Sequence, residues 1–158
     1  MAIFFLKCQR LTFNELQNFT TSGIIKAIHL ERNVLIDENG KIVPFEEVLK
    51  TLVSIKSIYF EFSKDYFTSI NCGTVFAIID ILEKHEFYSF TLSNIPECFE
   101  FQPIFDYMQK PNIIRPKLSF SLSISDSCQK RINAAIPFCQ KDQILYNVEF
   151  PGKYRSYF

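Results

Sequence analysis

The sequence has no tryptophan, only four glycines, and no excess of charge of either sign. The four glycines form neither a GxG pattern nor a P-loop, which argues against a mononucleotide- or dinucleotide-binding fold. Seventeen basic residues balance seventeen acidic ones, and no basic stripe is present. We therefore expect no nucleic-acid partner, because neutralisation of phosphates dominates the affinity for nucleic acids.

Residues that could hold a metal or act as nucleophiles are sparse. The two histidines, His29 and His85, are far apart and lack HxxxH spacing, so three or four converging ligands are not indicated. No local signature supports a Cys/His catalytic pair. We expect no metal, no cofactor and no catalytic residues, and the chain is predicted not to be an enzyme.

The cysteines and the apolar segments bear on location. The five cysteines are odd in number, widely spaced and without a CxxC motif, which favours free thiols in a reducing compartment. The segment Ile3–Leu6 is too short for a signal peptide, and no window approaches the roughly 20 apolar residues of a membrane span. We expect a soluble intracellular protein, cytoplasmic or nuclear, without a membrane partner.

The clearest positive feature is a repeated pattern. The stretch Ile25–Asn33 returns, altered, as residues 55–63 and 87–95, each with apolar residues at relative positions one, four and six. Two further strands are expected in residues 118–122 and 147–150. The equivalent positions of the five strands are Ile28, Ile58, Phe90, Phe120 and Val148, which follow one another in steps of 30, 32, 30 and 28 residues. Self-similarity at a fixed period is the signature of a solenoid.

Helical patterns separate these strands. Residues 12–15 have the spacing of a capping box, and apolar positions of helical period follow there and after Pro44. They also follow Asn71 or Thr74 as a cap, Pro103, and Asp126 as a cap. Alternating strands and helices predict a parallel sheet. Helices on one face would give a curved sheet, whereas helices on both faces would give a doubly wound one. The spacing favours an α/β, irregular leucine-rich-repeat-like solenoid, with residues 1–158 as one domain of about five strand–helix units.

The strands predict a candidate binding surface. If the apolar residues of each strand point toward the helices, alternation turns the residues between them to the other face. Strands about 4.8 Å apart would align these side chains into rows that suit an extended protein partner. The alternative is plain solvent exposure. The candidate partner-binding residues are His29, Glu31, Tyr59, Glu61, Thr91, Ser93 and Ser121.

The two ends of the chain raise further expectations. Residues 3–6 are all apolar, which predicts a first strand covered on both faces, yet that strand would have an open edge. Because the net charge is zero, little repulsion opposes association. We expect self-association through this edge, or an upstream segment or partner that covers it. The basic, aromatic tail 153–158 is expected to pack over the other end of the sheet rather than to contact nucleic acid.

Several segments together resemble a known family. They are the helix-and-glycine entry Thr12–Gly23, Asp37–Lys41 leading to Phe45-Glu46-Glu47, Phe90–Glu97, and Val148–Gly152. The chain resembles the irregular leucine-rich-repeat-like regions that follow the F-box in expanded roundworm protein families. The resemblance implies selection of substrates for a ubiquitin ligase through protein contacts. No F-box precedes the repeats, which predicts an N-terminally truncated chain, a fragment or a free-standing module.

Three functional hypotheses follow. The first is a non-catalytic protein-interaction module with its partner on the strand face. The second is a small-molecule-binding or enzymatic α/β domain with its site at the carboxyl ends of the strands. The third is an incomplete repeat array without an independent function. Helices on both faces of the sheet, or a deep pocket with converging polar groups, would favour the second over the first.

Overall fold

The protein alternates strands and helices along the chain. The computed structural model describes residues 2–52, 54–111, 113–136 and 147–151. The strands are β1 (Ala2–Lys7), β2 (Arg10–Thr12), β3 (Ile25–Glu31), β4 (Val34–Ile36), β5 (Ser57–Glu61), β6 (Ser89–Ile95), β7 (Lys117–Phe120) and β8 (Val148–Glu149). The helices are α1 (Phe13–Thr21), α2 (Phe45–Thr51), α3 (Cys72–Lys84), α4 (Gln102–Met108) and α5 (Asp126–Ala135), with a 3-10 turn at Lys64–Tyr66.

The described strands form a six-stranded sheet in the order β1-β3-β5-β6-β7-β8, in which every pair is parallel. The prediction of an α/β fold with a mainly parallel sheet is confirmed. A second sheet pairs β2 with β4 in parallel, and sequence reasoning did not predict it. One apolar residue from each strand of the large sheet lies in register with the next, in the row Leu6, Leu30, Phe60, Leu92, Leu118 and Val148.

Local chemistry sets the helix boundaries. Thr12 caps α1, its hydroxyl accepting from the Glu15 N–H while the Glu15 carboxylate accepts from the Thr12 N–H, so the predicted capping box is confirmed. Gly23 follows α1 with φ +68°, a left-handed conformation that glycine adopts without strain. The cap of α5 is Ser125, whose hydroxyl accepts from the backbone, and not Asp126 as the sequence suggested.

The helices form one layer against the sheet. Along the chain, α1 contacts α2, α2 contacts α3, and α3 contacts α4, as expected for neighbours in a single layer. One hydrophobic core contains side chains from all five helices and from the sheet. Ile28, Ile58 and Phe90 belong to it, as predicted. Phe76 of α3 lies outside this core and is 59% exposed.

The fourth repeat differs from the predicted alignment. Phe120 does occupy the strand next to β6 and is buried, but it lies opposite Ile95 rather than Phe90. The pairing of β6 with β7 shifts between Leu92 and Ile95, where Asn94 adopts φ +54°. Ile28, Ile58 and Phe90 therefore share one row that Phe120 does not join. The irregularity in β6 displaces β7 relative to the periodic pattern.

A buried asparagine joins the first two parallel strands. Asn33 has no exposed surface, and its side-chain amide donates to the Leu6 carbonyl at 2.7 Å while its Oδ1 accepts from the Gln9 N–H at 2.9 Å. Both partners are backbone groups near the end of β1, so the side chain links the end of β1 to the chain that follows β3. Asn94 makes a related bond to the Phe62 carbonyl at 2.7 Å.

Two predictions about the chain ends have different outcomes. The first strand is present, but Ile3 and Phe5 are exposed while Phe4 and Leu6 are half-buried, so the expectation that both faces are covered was wrong. Its side chains alternate because only one face of the sheet carries helices. The tail 153–158, expected to pack over the other end of the sheet, lies outside the described residues.

Candidate functional site

The large sheet presents one face to the helices and one face away from them, which we call the open face. Strand alternation places Ile28 and Leu30 in the core and turns their neighbours to the open face. The register then aligns the outward residues across strands. One row contains Lys7, Glu31, Glu61 and Ser93, and the next contains Phe5, His29, Tyr59, Thr91 and Lys117.

An aromatic stripe crosses the first three parallel strands of the open face. The His29 and Tyr59 rings stack with centroids 4.1 Å apart and planes 16° apart. The Phe5 ring lies on the other side of His29, with centroids 4.7 Å apart and a tilt of 40°. Such contacts between neighbouring strands stabilise a sheet and hold the rings in fixed positions. The stripe therefore offers a preordered, partly apolar surface.

Ion pairs border the stripe at the carboxyl ends of the strands. Glu31 is only 19% exposed and is held between the Lys7 ammonium at 2.7 Å and the His29 ring nitrogen Nε2 at 2.9 Å. The hydrogen bond from Lys7, with a further one from His29, lowers the pKa of the Glu31 carboxyl below its ordinary value. The Glu31 carboxylate is thus already satisfied within the chain, and it also orients the His29 ring.

Glu61 is arranged in the same way one strand further along. Its side chain is 13% exposed, and its Oε1 accepts from the guanidinium Nε of Arg32. Arg32 has φ +51°, and Cys8, one strand earlier at the same position after the strand end, has φ +52°. The same left-handed bend therefore follows β1 and β3. After β3 it places the Arg32 guanidinium beside the Glu61 carboxylate of the next strand.

The hydroxyl-rich part of the predicted surface is only partly present. Thr91 lies beside Tyr59 in register, and Ser93 lies beside Glu61, both half-buried on the open face. Ser121 was predicted there too, and that placement was wrong. Strand β7 ends at Phe120, and the Ser121 N–H donates to the Ile95 carbonyl at 2.8 Å.

The turn after β7 explains this error. Ser121 is buried, its hydroxyl lies 2.9 Å from the Ser123 hydroxyl, and Leu122, at the end of the expected strand 118–122, is 88% exposed. Alternation cannot be extended past the end of a strand, and the pattern Leu-Ser-Phe-Ser-Leu gives no sign of where pairing stops. On the open face Ser119 takes the place predicted for Ser121, opposite Glu149 of β8.

Sequence reasoning brought together four residues that do form one cluster, namely His29, Glu31, Tyr59 and Glu61. It missed three others that complete this cluster, Phe5, Lys7 and Arg32. For Phe5 and Lys7 a signal existed, because odd residues of the first strand share one face by alternation. Nothing in the sequence pattern indicated that Arg32 would fold back over Glu61.

Two recesses in the surface are relevant to the second hypothesis, a small-molecule-binding site. A recess of about 320 Å³ lies at the ends of β2 and β4, lined by Thr12, Phe13, Asn14, Ile36, Asp37, Glu38 and Asn39. A larger one of about 530 Å³ lies at the end of α3, between residues 82–87 and the chain around Tyr107 and Ile113. Both are open to solvent. Among the described residues, no group of three or more His, Cys, Asp or Glu side chains is placed to hold a metal ion.

The cysteines resolved in the fold are free thiols, with Cys8, Cys72 and Cys98 exposed and Cys128 buried. Partial desolvation raises the pKa of the Cys98 thiol, whose Sγ donates to the Phe67 carbonyl. In the described part of the chain, none of the helices has the length and apolar character needed to cross a bilayer.

Comparison of the chain with protein-family models, with curated proteins and with solved structures finds no match.

Proposed function

We propose that this chain is a non-catalytic protein-interaction module whose partner binds the open face of the sheet. The observation that carries the proposal is the aromatic stripe of Phe5, His29 and Tyr59 with its border of ion pairs. Aromatic side chains, tyrosine above all, provide large contact area with few rotatable bonds and are enriched where binding energy concentrates.

The paired charges support a protein partner of extended shape. Glu31 and Glu61 are each held by a cation of the chain itself, so their burial beneath a partner would not leave a carboxylate unpaired. The stripe runs perpendicular to the strands and continues into the half-buried Thr91. A segment lying along it would meet rings first and hydroxyls afterwards.

We further propose that the sheet is curved and that the architecture is an irregular leucine-rich-repeat-like solenoid. Neighbouring strands lie about 4.8 Å apart, whereas packed helices need about 8–10 Å between axes. One helix per strand in a single layer therefore bends the sheet, with the open face concave. Residues 25–35 support this proposal, because Ile25, Ile28, Leu30, Asn33 and Leu35 match the pattern L-x-x-L-x-L-x-x-N-x-L.

A more specific role is the selection of substrates for a ubiquitin ligase within the cytoplasm or nucleus. This proposal rests on the resemblance to the regions that follow F-boxes in roundworm proteins. The free thiols of Cys8, Cys72 and Cys98 suit a reducing compartment. The role predicts that the partner of the open face is a protein whose turnover depends on this chain.

Site-specific photo-cross-linking tests the interaction face. A photoreactive phenylalanine analogue replaces Thr91 on the open face in one variant and the exposed Asn133 on α5 in the control. Both are expressed in cells of the native source and irradiated, and the products are identified by mass spectrometry. We expect a discrete protein adduct at position 91 that is absent at position 133.

The same experiment can contradict the proposal. Adducts of equal yield at both positions, or at position 133 alone, would place the partner elsewhere on the molecule. Adducts at neither position, in cells where the chain is folded and abundant, would remove the support for a protein partner. The recess at Thr12 and Asp37 would then be the next place to search.

A further inference from the structure

The outer edge of β1 has no partner strand among the described residues, because β1 pairs there with β3 alone. The Cys8 N–H donates to the Glu31 carbonyl, and the Leu6 carbonyl accepts from Asn33, so even-numbered residues of β1 face β3. Successive residues of a strand direct their backbone groups to opposite sides, so Ile3, Phe5 and Lys7 direct theirs to the open edge.

Large apolar side chains surround that edge. Ile3 and Phe5 are exposed on the open face, and Phe19 of α1 packs on Phe4 while remaining 40% exposed. Ile24 is 71% exposed and precedes Ile25, which pairs with Ala2 at the start of β1. Taking about 200 Å² for each large side chain, the exposed parts of these residues amount to roughly 450 Å² per chain.

We propose that this edge binds a second copy of the chain, with the two β1 strands antiparallel about a two-fold axis at Phe5. This register places Phe5 opposite its own counterpart and Ile3 opposite Lys7, so every outward-facing residue of the strand finds a partner. The two six-stranded sheets become one continuous sheet. A two-fold interface of this kind is self-complementary and closed.

Three observations favour a second copy as the occupant. Two such patches offer at most roughly 900 Å² of apolar side chain, which together with the strand backbone reaches the approximately 1,000 Å² expected of a specific interface. The net charge is zero, so two copies do not repel each other. The aromatic stripe also becomes continuous across the axis, from one Tyr59 through His29 and Phe5 to the partner's equivalent rings.

Paired glutamate substitutions provide the test. Phe5 on the edge and Phe76 on α3 are 56% and 59% exposed, so Phe5→Glu and Phe76→Glu introduce the same charge at equally accessible positions. Like charges directly opposite each other in a sheet are unfavourable. In analytical ultracentrifugation we expect the 158-residue chain and Phe76→Glu to dimerise, and Phe5→Glu to raise the dimer dissociation constant at least about tenfold.

Amide hydrogen exchange provides an independent readout that does not depend on a variant. Dilution of the wild-type chain should accelerate exchange of the Phe5 and Lys7 amides but not of the Leu6 amide, which faces β3. A wild-type monomer at tens of micromolar would overturn the proposal. So would a dimer equally stable in Phe5→Glu, open-ended oligomers, or amide exchange at Phe5 that does not vary with concentration.

Discussion

Replacement of Asn33 by alanine removes a side chain that connects the ends of two parallel strands. The residue is fully buried, and its amide satisfies the Leu6 carbonyl and the Gln9 N–H together. Alanine can replace neither bond. Among the described residues, no other side chain forms a hydrogen bond with the Leu6 carbonyl or the Gln9 N–H.

The expected cost follows from these two groups. Leaving a buried donor or acceptor unsatisfied costs about 1–3 kcal/mol, and both bonds of Asn33 are part-buried, so Asn33→Ala should lower the free energy of unfolding by about 1–3 kcal/mol. For a chain of this size, that loss corresponds to a midpoint roughly 3–12 °C lower. A domain of ordinary stability would still fold, so the variant can be measured.

Urea denaturation followed by circular dichroism measures this difference. Asn18 lies exposed on α1, so Asn18→Ala is the same chemical change without buried partners and should stay within about 0.5 kcal/mol of wild type. Equal stabilities of Asn33→Ala and Asn18→Ala would refute the reasoning. They would show that the strand ends do not depend on the asparagine, and the solenoid-like interpretation of residues 25–35 would lose its main support.

Three further predictions concern the core and the ion pairs. Phe90→Ala should cost about 3–5 kcal/mol in urea denaturation because the ring is only 2% exposed, and a loss of a few tenths would place it outside the core. Tyr66→Phe should cost about 1–2 kcal/mol, because the buried phenol oxygen accepts the Leu35 N–H at 3.3 Å; unchanged stability would argue against that bond. The Glu31 pKa is lowered in the fold, chiefly by Lys7, so its contribution to stability is present above the ordinary carboxyl value and lost as the pH falls through the lowered one. The stability gap between wild type and Glu31→Gln should therefore shrink below about pH 4, and a gap independent of pH would contradict the assignment.

Much of the fold could be predicted because its signals are local and periodic. The apolar spacing around Ile28, Ile58 and Phe90 identified three neighbouring parallel strands, since one buried face forces alternation. The capping box at Thr12 located the start of α1 for the same reason, because two side chains and two N–H groups satisfy one another within four residues.

The errors arise where the structure departs from the period. The shift in pairing next to Asn94 moved Phe120 out of the predicted row, and the early end of β7 buried Ser121. Neither event has a local sequence signature, because a bulge and a strand end are decided by pairing with another strand. The small sheet of β2 and β4 was missed because a three-residue strand such as Arg10–Thr12 shows too little alternation to recognise.

In the candidate site, too, the features that follow strand alternation were predicted and the others were not. Alternation correctly turned His29, Glu31, Tyr59 and Glu61 to the open face, because these residues lie within well-paired strands. The stacking of the rings and the reach of Arg32 to Glu61 depend on side-chain conformation and on a left-handed bend after β3. Those features arise from three-dimensional packing, which periodicity does not specify.

The most direct test of the proposed interaction face is the affinity of the partner identified by cross-linking for two tyrosine variants. Tyr59 lies in the aromatic stripe, whereas Tyr88 is 76% exposed and precedes β6 outside it. Isothermal titration with the purified partner should show that Tyr59→Ala weakens binding about tenfold or more, while Tyr88→Ala binds like wild type and both variants remain folded at the titration temperature. Unchanged affinity for Tyr59→Ala, or an equal loss in Tyr88→Ala, would contradict the claim that the open face is where this protein meets its partner.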